Sequence, residues 1–268
     1  MAYATRDTPA HERISKVATA DKVLSVLGLF TMETPEWTVD EAAAALDLKT
    51  STAYQYFRSL IEFGLLVGGS GGRYSVGPAV ISLDRITRRH DGLIALGRAA
   101  MGRLVTPFDG EAVGLLCRSF RMQVMCIDEF VPASLPFAIS YERGRPMPLF
   151  RGAASKAILA HLGARITRRL WDRQGEQITA AGLGADWSAF KRSLRQLRSR
   201  AALVTHGELD EGLVGISAPV FGSEGLVMGS VGVVTTEAAY VRLGARAGEV
   251  EATVAAEAQS MSERLLQT

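Results

Sequence analysis

The stretch that decides the fold runs from Thr38 to Phe63 and has the sequence TVDEAAAALDLKTSTAYQYFRSLIEF. Thr38 and Glu41 have the spacing of a capping box, in which a hydroxyl and a carboxylate three residues apart satisfy free N–H groups at a helix start. Helix-forming alanines follow, and the turn at 47–49 separates them from a second helix that ends before Gly64. The stretch therefore predicts two short helices joined by a tight turn.

The second helix is amphipathic. We expect its apolar residues to face the core, namely Ala53, Phe57, Leu60 and Ile61. Hydroxyl residues at its start are expected to cap it. The opposite face offers hydroxyls, an amide and a guanidinium, the groups that hydrogen-bond phosphates and base edges in a DNA major groove. The pattern predicts a helix-turn-helix whose second helix contacts DNA through Thr50, Ser51, Thr52, Tyr54, Gln55 and Arg58.

A hairpin is predicted directly after the second helix. Leu65–Val67 and Arg73–Val76 are rich in strand-forming residues, and the segment Gly68–Gly72 between them is a glycine-rich tip. A hairpin in this position is the wing of a winged helix-turn-helix, and we expect Arg73 to contact backbone phosphate. The alternative is that two amphipathic helices and a hairpin are ordinary building blocks without a role in DNA binding.

Composition narrows the class of protein. The 268 residues suffice for two domains, with 47% hydrophobic and 22% charged residues. We find neither an apolar run near the ~20 residues of a membrane helix nor a signal peptide, and we expect a cytoplasmic protein that does not enter a membrane. Cys117 and Cys126 are interpreted as buried thiols rather than as a redox switch.

The charge distribution argues against a DNA binder that relies on electrostatics alone. The net charge is +2, and residues 1–90 hold ten basic and ten acidic side chains. Asp186–Arg200 is strongly basic, and we interpret this predicted helix as a solvated face rather than as a nucleic-acid patch.

The pattern along the chain predicts four segments. Residues 1–18 form an N-terminal arm, 19–78 the DNA-binding domain, 79–92 a linker helix and 93–268 a larger domain. The linker helix is alternatively a dimer contact, because its apolar side must be covered.

The larger domain combines predicted strands with helices on either side of them. Strands are expected at 112–117, 122–128, 137–141, 203–205, 213–220 and 226–234. Helices are expected at 93–105, 152–162, 166–174, 186–200 and 237–266, the last interrupted at Gly244 or Gly248. A sheet flanked by helices predicts an α+β architecture that can enclose a small ligand.

Motifs of catalysis are not found in the sequence. None of the four histidines stands in a recognisable nucleophile motif, and no glycine-rich stretch connects a strand to a helix as phosphate- and dinucleotide-binding loops do. His206, Glu208 and Asp210 alternate, so an extended segment would place them on one face, either as metal ligands or as a solvent-facing edge. We favour the edge and predict no catalytic residues, no metal and no cofactor.

The order of these parts resembles that of the IclR family of bacterial transcriptional regulators over nearly the whole chain. Three segments carry the resemblance: STAYQYFRSLIEFGLLVGGSGGRYSVGP at 51–78, GRPMPLFRGAASKAILAHL at 144–162, and LRQLRSRAALVTHGELDEGLVGISAPVFGSEGLVMGSVGVV at 194–234. The resemblance implies an N-terminal winged helix-turn-helix, a linker helix and a C-terminal GAF-like effector-binding domain. It also implies an operator in double-stranded DNA, a small-molecule effector, and assembly as a homodimer or dimer of dimers.

The family motifs carry the effector pocket onto six positions of this chain, and we expect Met147 and Phe150, in the loop segment quoted above, to line it as well. The place of His206, Glu208 and Asp210 inside the family signature favours a structural or pocket-edge role for them. Departures from the family pattern make the pocket less polar, because Thr205 replaces an acid and Gly232 and Val234 replace strand hydroxyls. We therefore expect a larger, aromatic or apolar effector, and we expect Gly232→Trp to fill the pocket without harming the fold. The expected pocket residues are Met147, Phe150, Ala153, Ala154, Thr205, Gly215, Gly232 and Val234.

The sequence thus predicts a ligand-responsive transcriptional regulator. Gln55 stands where the family often has Arg, and because glutamine favours adenine and arginine guanine, the operator is expected to differ from the common ones. Two alternatives stay open: a metabolite-binding enzyme, or a protein-interaction module, each with a helix-turn-helix-like appendage.

Overall fold

The computed structural model describes residues 19–133 and 135–267. The predicted arm at residues 1–18 lies outside the described residues. The chain divides between Arg88 and Arg89 into two compact units, each with its own hydrophobic core. No helix in the described ranges is long and apolar enough to cross a membrane.

The N-terminal unit is a helix-turn-helix with a three-stranded antiparallel sheet, whose strand order is β1-β3-β2. Its helices are α1 (Thr19–Leu27), α2 (Val39–Ala45) and α3 (Thr50–Glu62), and α4 (Ala79–His90) begins in it. Its strands are β1 (Trp37–Thr38), β2 (Leu66–Gly68) and β3 (Arg73–Val76). The strand β1, which the sequence did not predict, pairs Trp37 with Tyr74 on the wing.

The start of α2 has the predicted capping box. The Thr38 hydroxyl accepts from the Glu41 backbone N–H at 3.2 Å, and a Glu41 carboxylate oxygen accepts from the Thr38 N–H at 2.9 Å. The expected hydroxyl cap of α3 is wrong: Lys49 is its N-cap and makes no side-chain capping bond. The helix begins at Thr50, which places the hydroxyl residues within its first turn.

The inner face of α3 is buried along one stripe. Ala53, Phe57 and Leu60 are buried as predicted, but Ile61 is 38% exposed and Tyr56 takes its place in the core. A helix advances 100° per residue, so the stripe through residues 53, 56, 57 and 60 leaves residue 61 at its margin.

The C-terminal unit has a six-stranded antiparallel sheet with strand order β6-β5-β4-β9-β8-β7. The strands are β4 (Ala112–Phe120), β5 (Gln123–Phe130), β6 (Pro146–Pro148), β7 (Leu203–His206), β8 (Leu213–Phe221) and β9 (Val227–Thr236). The helices are α5 (Gly92–Val105), α6 (Ala153–His161), α7 (Ala164–Ala180), α8 (Trp187–Arg198), α9 (Glu237–Leu243) and α10 (Ala247–Leu265).

Each face of the sheet is covered by its own helices. On one face α5 packs against β4, β5 and β9, and α10 packs against β8 and β9. On the other face α6 packs chiefly against β8 and β9, α8 packs on α6, and α7 packs on α8. The sheet is therefore the middle of three layers, which confirms the predicted α+β architecture.

Two details of the sheet correct the sequence prediction. Residues 137–141 are not a strand, because the Ser140 N–H is bonded to the Asp210 carboxylate at 2.8 Å instead of to a neighbouring strand. The edge position is taken by β6, and prolines are tolerated there because an edge strand leaves some N–H groups unpaired. The predicted turn at 118–121 is also tighter: β4 continues to Phe120, and Arg121 adopts a left-handed conformation at φ 48°.

Candidate functional site

The outer face of α3 is the candidate DNA-reading surface. Ser51, Tyr54, Gln55 and Arg58 are exposed on it, with Tyr54 54% exposed. Thr50, in the first turn, is exposed as well, whereas Thr52 is half-buried. Five of the six predicted α3 contacts are therefore open to a partner.

The wing and α3 are packed together. The rings of Phe57 and Tyr74 meet edge to face, with centroids 5.1 Å apart, and the Trp37 indole N–H donates to the Leu29 carbonyl at 2.9 Å. These contacts join α3 to β3, and β1 to the segment that follows α1, so the position of α3 relative to the wing is fixed.

The two predicted arginines of this surface already hold carboxylates. Arg58 pairs with Glu62 one turn along α3 at 3.0 Å, and its side chain stays 82% exposed. Arg73 on the wing pairs with Glu41 at 3.0 Å. The Thr38 backbone N–H, together with Arg73, holds the pKa of the Glu41 carboxyl below its usual value. Glu41 therefore has two roles: it caps α2, and it holds the side chain of Arg73 on the wing.

The C-terminal unit has a cavity that is partly open to solvent, with about 410 Å³ of space when the solvent at its mouth is included. It lies between the start of α6, the strands β8 and β9, and the connection between β7 and β8. Its wall is largely apolar, and its polar side chains are those of Tyr141, Thr205, Glu208, Asp210 and Ser217. Six predicted effector residues line it: Ala153, Ala154, Thr205, Gly215, Gly232 and Val234.

Met147 and Phe150 do not line this cavity, which corrects the expectation from the family motif. Both are 6% exposed and belong to the core cluster on the α6–α8 face of the sheet. Met147 lies on β6, opposite Val124 of β5, where its side chain is used for packing the sheet edge.

Two acidic side chains anchor the β7–β8 connection over the cavity. The Glu208 carboxylate pairs with the Lys156 ammonium group and accepts from the Gly152 N–H at 2.9 Å, at the start of α6. Asp210 accepts from the hydroxyl and the N–H of Ser140. Leu209, between them, lines the cavity. The connection is therefore fixed on both sides of the residue that closes the space.

The alternation of His206, Glu208 and Asp210 does not make a metal site. His206 faces Glu237 at 3.0 Å, while the two acids bind Lys156 and Ser140, so each has a separate partner. Within the described residues, no group of three His, Cys, Asp or Glu side chains is arranged to hold a metal ion.

A buried polar cluster lies next to the cavity. The Tyr141 and Ser155 hydroxyls are 2.7 Å apart, and burial raises the pKa of Tyr141 so that the phenol stays protonated.

The two free cysteines, Cys117 and Cys126, lie opposite each other on the neighbouring strands β4 and β5 and are fully buried. The hydrogen bond with Cys126 and burial raise the pKa of the Cys117 thiol.

Gly232 is required by the close approach of two strands. A Cβ at this position would lie 2.1 Å from the Ile216 carbonyl oxygen and 2.7 Å from the Ser217 Cα. These are backbone atoms that cannot move aside, so the expectation that Gly232→Trp would fill the cavity and spare the fold is wrong. Gly215 is different, because its added Cβ would meet Thr205 Oγ1 at 3.3 Å and Ala153 Cβ at 3.4 Å.

Comparison with known protein families identifies the family to which this chain belongs. A model described as the bacterial transcriptional regulator IclR C-terminal domain matches residues 89–263, and one described as the IclR helix-turn-helix domain matches residues 19–68. The chain belongs to the IclR family. As an IclR-family member it is a transcriptional regulator with a helix-turn-helix DNA-binding domain, and not an enzyme.

Individual proteins are similar to this chain over most of its length. The HTH-type transcriptional regulator KipR of Bacillus subtilis is 23% identical over 227 residues, which are 84% of this chain and 89% of KipR. An IclR transcriptional regulator structure from Alicyclobacillus acidocaldarius has a TM-score of 0.74 at 22% identity and covers 93% of this chain and 99% of its own. An IclR homologue from Microbacterium hydrocarbonoxydans, complexed with 4-hydroxybenzoate, has a TM-score of 0.70 at 18% identity, covering 92% and 99%.

The IclR motifs contained several cavity residues that the sequence analysis did not assign. Glu208 and Asp210 stand in the quoted C-terminal signature, which favoured a structural or pocket-edge role for them, but they were not among the predicted effector-binding residues. The signal in the sequence that could have assigned Glu208 was Lys156, because a lone charge in a helix of small apolar residues needs a buried partner of opposite charge. The cavity residues that were missed are Leu115, Tyr141, Gly152, Glu208, Leu209, Asp210, Leu213, Ile216, Ser217 and Val233.

Proposed function

We propose that this IclR-family protein is a ligand-responsive regulator that binds an operator through α3 and the wing. The observation that carries the proposal is the outer face of α3, where Ser51, Tyr54, Gln55 and Arg58 are exposed on a helix whose inner face is buried. Gln55 offers an amide that pairs with adenine, and Arg58 offers a guanidinium for a phosphate or a guanine. Arg73 contacts backbone phosphate once it is released from, or shared with, Glu41.

The effector occupies the cavity of the C-terminal unit. Six apolar residues contribute to its wall, which suits an aromatic or apolar molecule: Leu115, Leu209, Leu213, Ile216, Val233 and Val234. The backbone N–H groups of Ala153 and Ala154 lie in the first turn of α6, where a helix favours an acceptor or an anion. We therefore assign the cavity a small molecule with an apolar body and one polar end. The 4-hydroxybenzoate in the complex of the Microbacterium relative likewise has an aromatic body and a carboxylate at one end, and it adds a hydroxyl at the other end.

The regulator acts as a homodimer or a dimer of dimers. In the described chain none of the residues of α4 is buried, and its apolar residues Val80, Leu83 and Ile86, which follow one another at three-residue spacing, are 41%, 56% and 56% exposed. Such an apolar face on a helix is covered in an assembly. A two-fold dimer would present two α3 helices to the half-sites of a pseudo-palindrome in the cytoplasm, where bacterial DNA is found.

Operator binding is tested by fluorescence anisotropy with DNA from upstream of the protein's own gene, in the presence of competitor DNA. We expect saturable binding, and we expect Gln55→Ala to reduce the preference for that DNA over competitor about 5- to 100-fold, the range for one bidentate base contact. Salt-insensitive association with a protein partner and no retention of any DNA would reject the regulator and favour the interaction module.

The effector site is tested with a variant that narrows the cavity and keeps the fold. Gly215→Ala adds a methyl group facing Thr205 and Ala153, and we expect it to weaken or abolish the change in operator affinity caused by an active ligand. The ligand is found by screening aromatic acids in the same anisotropy assay. Gly248→Ala is the control, because its added Cβ meets no atom within 4 Å and lies away from the cavity. An unchanged ligand response in Gly215→Ala would move the effector out of this cavity.

A further inference from the structure

The basic side chains of this protein are concentrated away from the DNA-reading unit. Residues 164–200, which contain α7 and α8, hold nine Lys and Arg against three Asp and Glu. Residues 19–88 hold six basic and eight acidic side chains. The reading unit thus carries a net charge of −2, and the segment with α7 and α8 carries +6.

Eight of these cations are exposed on the adjacent helices α7 and α8, and one of the eight, Arg198, donates to the carbonyl oxygen of Ala160 while the other seven form one surface. α7 and α8 are joined by aromatic contacts, in which the Trp171 ring lies 5.5 Å from that of Phe190 and 6.4 Å from that of Trp187. The surface that the helices carry is called the basic face below. It consists of Arg165, Arg168, Arg169, Arg173, Lys191, Arg192 and Arg195.

Trp187 is contacted by one cation from each of the two helices. The Arg168 guanidinium from α7 lies 5.1 Å from the centroid of the Trp187 ring, and the Lys191 ammonium from α8 lies 5.6 Å from it. The two helices therefore bring cations to one shared aromatic side chain. Within each helix, the pairs 165/169 and 191/195 are one turn apart, which is about 6 Å along the axis.

Several cations of the basic face have no anionic partner in the described structure. Arg168 pairs with Asp172 at 2.9 Å, whereas Arg165, Arg169 and Arg195 make neither an ion pair nor a hydrogen bond to any described residue. Like charges this close repel one another, and an external anion relieves that repulsion.

In place of the interpretation of residues 186–200 as a solvated face, we propose that the basic face binds the phosphate backbone of duplex DNA next to the operator. This rests on the proposed function, because it requires that the protein binds an operator. Phosphate neutralisation by Lys and Arg supplies most of the sequence-independent affinity for DNA, and a reading unit of net charge −2 supplies little of it. Six of the seven cations are arginines, whose planar guanidinium pairs bidentately with phosphate.

The competing partner is an acidic surface of a second copy. Residues 201–268 carry nine acidic and three basic side chains, which would attract the basic face. Several of these acids already have partners in their own chain, however: Glu208 pairs with Lys156, Glu237 with His206 and Glu257 with Arg103. The observations therefore favour DNA, and the test must separate the two.

The experiment measures operator affinity of the full-length protein against salt concentration, on a short operator and on one extended at both ends. The test variant is Arg165→Gln, Arg169→Gln, Arg192→Gln and Arg195→Gln combined. The control removes the same charge from exposed arginines elsewhere in the C-terminal unit. It combines Arg121→Gln, Arg145→Gln, Arg246→Gln and Arg264→Gln.

We expect the test variant to lose about 0.9 in the slope of log K against log salt for each phosphate contact removed, so about 2 to 4 in total on the extended DNA. It should also lose the preference for the extended over the short operator, while the control keeps both. Equal slopes for the test and control variants would overturn the proposal. Dissociation of the test variant into smaller assemblies without DNA, seen by light scattering, would also overturn it and assign the face to a second copy.

Failure of this inference and failure of the proposed function give different results. If the wild-type protein prefers operator over competitor and only the slope of the test variant is unchanged, the operator reader stands and the basic face has no part in it. If the wild-type protein shows no preference for any operator, the proposed function fails first.

Discussion

At the scale of single residues, the reading surface depends on which side chains are already engaged. Arg58 and Arg73 both hold glutamates in the unbound protein, Arg58 through an exposed pair that is worth about 0.3–0.5 kcal/mol. A pair this weak can be exchanged for a phosphate at little cost. Glu41 is held more firmly, since it also accepts the Thr38 N–H.

Arg58→Ala is expected to weaken operator binding and to lower the salt slope by about 1, because one cation–phosphate contact is lost. The matched variant Glu62→Ala is expected to do the reverse, since it frees Arg58 and removes an acid from the DNA-facing helix. Both are measured by anisotropy over a salt series. Unchanged affinity in Arg58→Ala would remove this residue from the interface.

The two cysteines are expected to be inert in the folded protein. Thiol reactions need the thiolate, and the pKa of Cys117 is raised by its hydrogen bond with Cys126 and by burial. At pH 8 we expect Ellman's reagent to label no thiol until denaturant is added, and two thiols afterwards. Rapid labelling of the native protein would contradict the interpretation as buried thiols and reopen that of a redox switch.

At the scale of elements, the start of α6 and the β7–β8 connection form one unit around the cavity. Lys156 projects from the first turns of α6, Glu208 reaches it from the connection, and Gly152 donates its N–H to the same carboxylate. A charge on a helix of small apolar residues is thus compensated by an acid more than fifty residues away in sequence.

Lys156→Met is expected to destabilise the C-terminal unit by about 1–3 kcal/mol, because Glu208 is left without its cation. The cost is below the 3–5 kcal/mol of a fully buried pair, since Glu208 keeps 28% of its side chain exposed. The double variant Lys156→Met/Glu208→Gln should recover part of the loss. Urea unfolding followed by tryptophan fluorescence, dominated by Trp171 and Trp187, measures it. No recovery in the double variant would show that the pair is not coupled.

At the scale of the whole molecule, one side of α4 exposes apolar side chains that a single chain does not cover. Leu83 and Ile86 lie one turn apart on this helix, and each is 56% exposed. Apolar residues at this spacing are covered in stable assemblies. The helix α4 that carries them includes the position in the sequence at which the chain divides into two units.

Leu83→Glu is expected to shift the protein toward smaller assemblies and to lower operator affinity at least tenfold, because a buried charge in the dimer contact would be unpaired. Ser82→Glu is the control, since it adds the same charge at the neighbouring position on a different side of α4. Light scattering and anisotropy measure the two effects. Equal assembly of the two variants would place the dimer contact elsewhere.

Local signals were sufficient for most of the elements. The capping box at Thr38, the glycines of the wing and the alternation of apolar residues act within a few positions, so they can be recognised in sequence. Residues 137–141 were misjudged because a non-local acid, Asp210, takes the Ser140 N–H that a strand would have used. The edge strand β6 was missed because its prolines disfavour a strand in every position except an edge.

The residues of the candidate sites also fall into those that local sequence patterns predict and those that depend on distant parts of the chain. The outer face of α3 follows from helical periodicity alone, so its residues were named correctly as exposed side chains, except for the half-buried Thr52. Six cavity residues came from family motifs, but Met147 and Phe150 were misplaced, because a motif does not show which side of the chain faces the core. Lys156 and Glu208 needed the folded chain to be paired.

The sequence by itself determined the two-unit organisation, the winged helix-turn-helix and the family, because these depend on local patterns and on motifs in a fixed order. Only the tertiary structure decided where the cavity lies, that Gly232 cannot accept a side chain, and that cations from α7 and α8 meet over Trp187. The physical reason is that cavities, close backbone approaches and shared charged faces join residues far apart in the chain, and no local pattern records those distances.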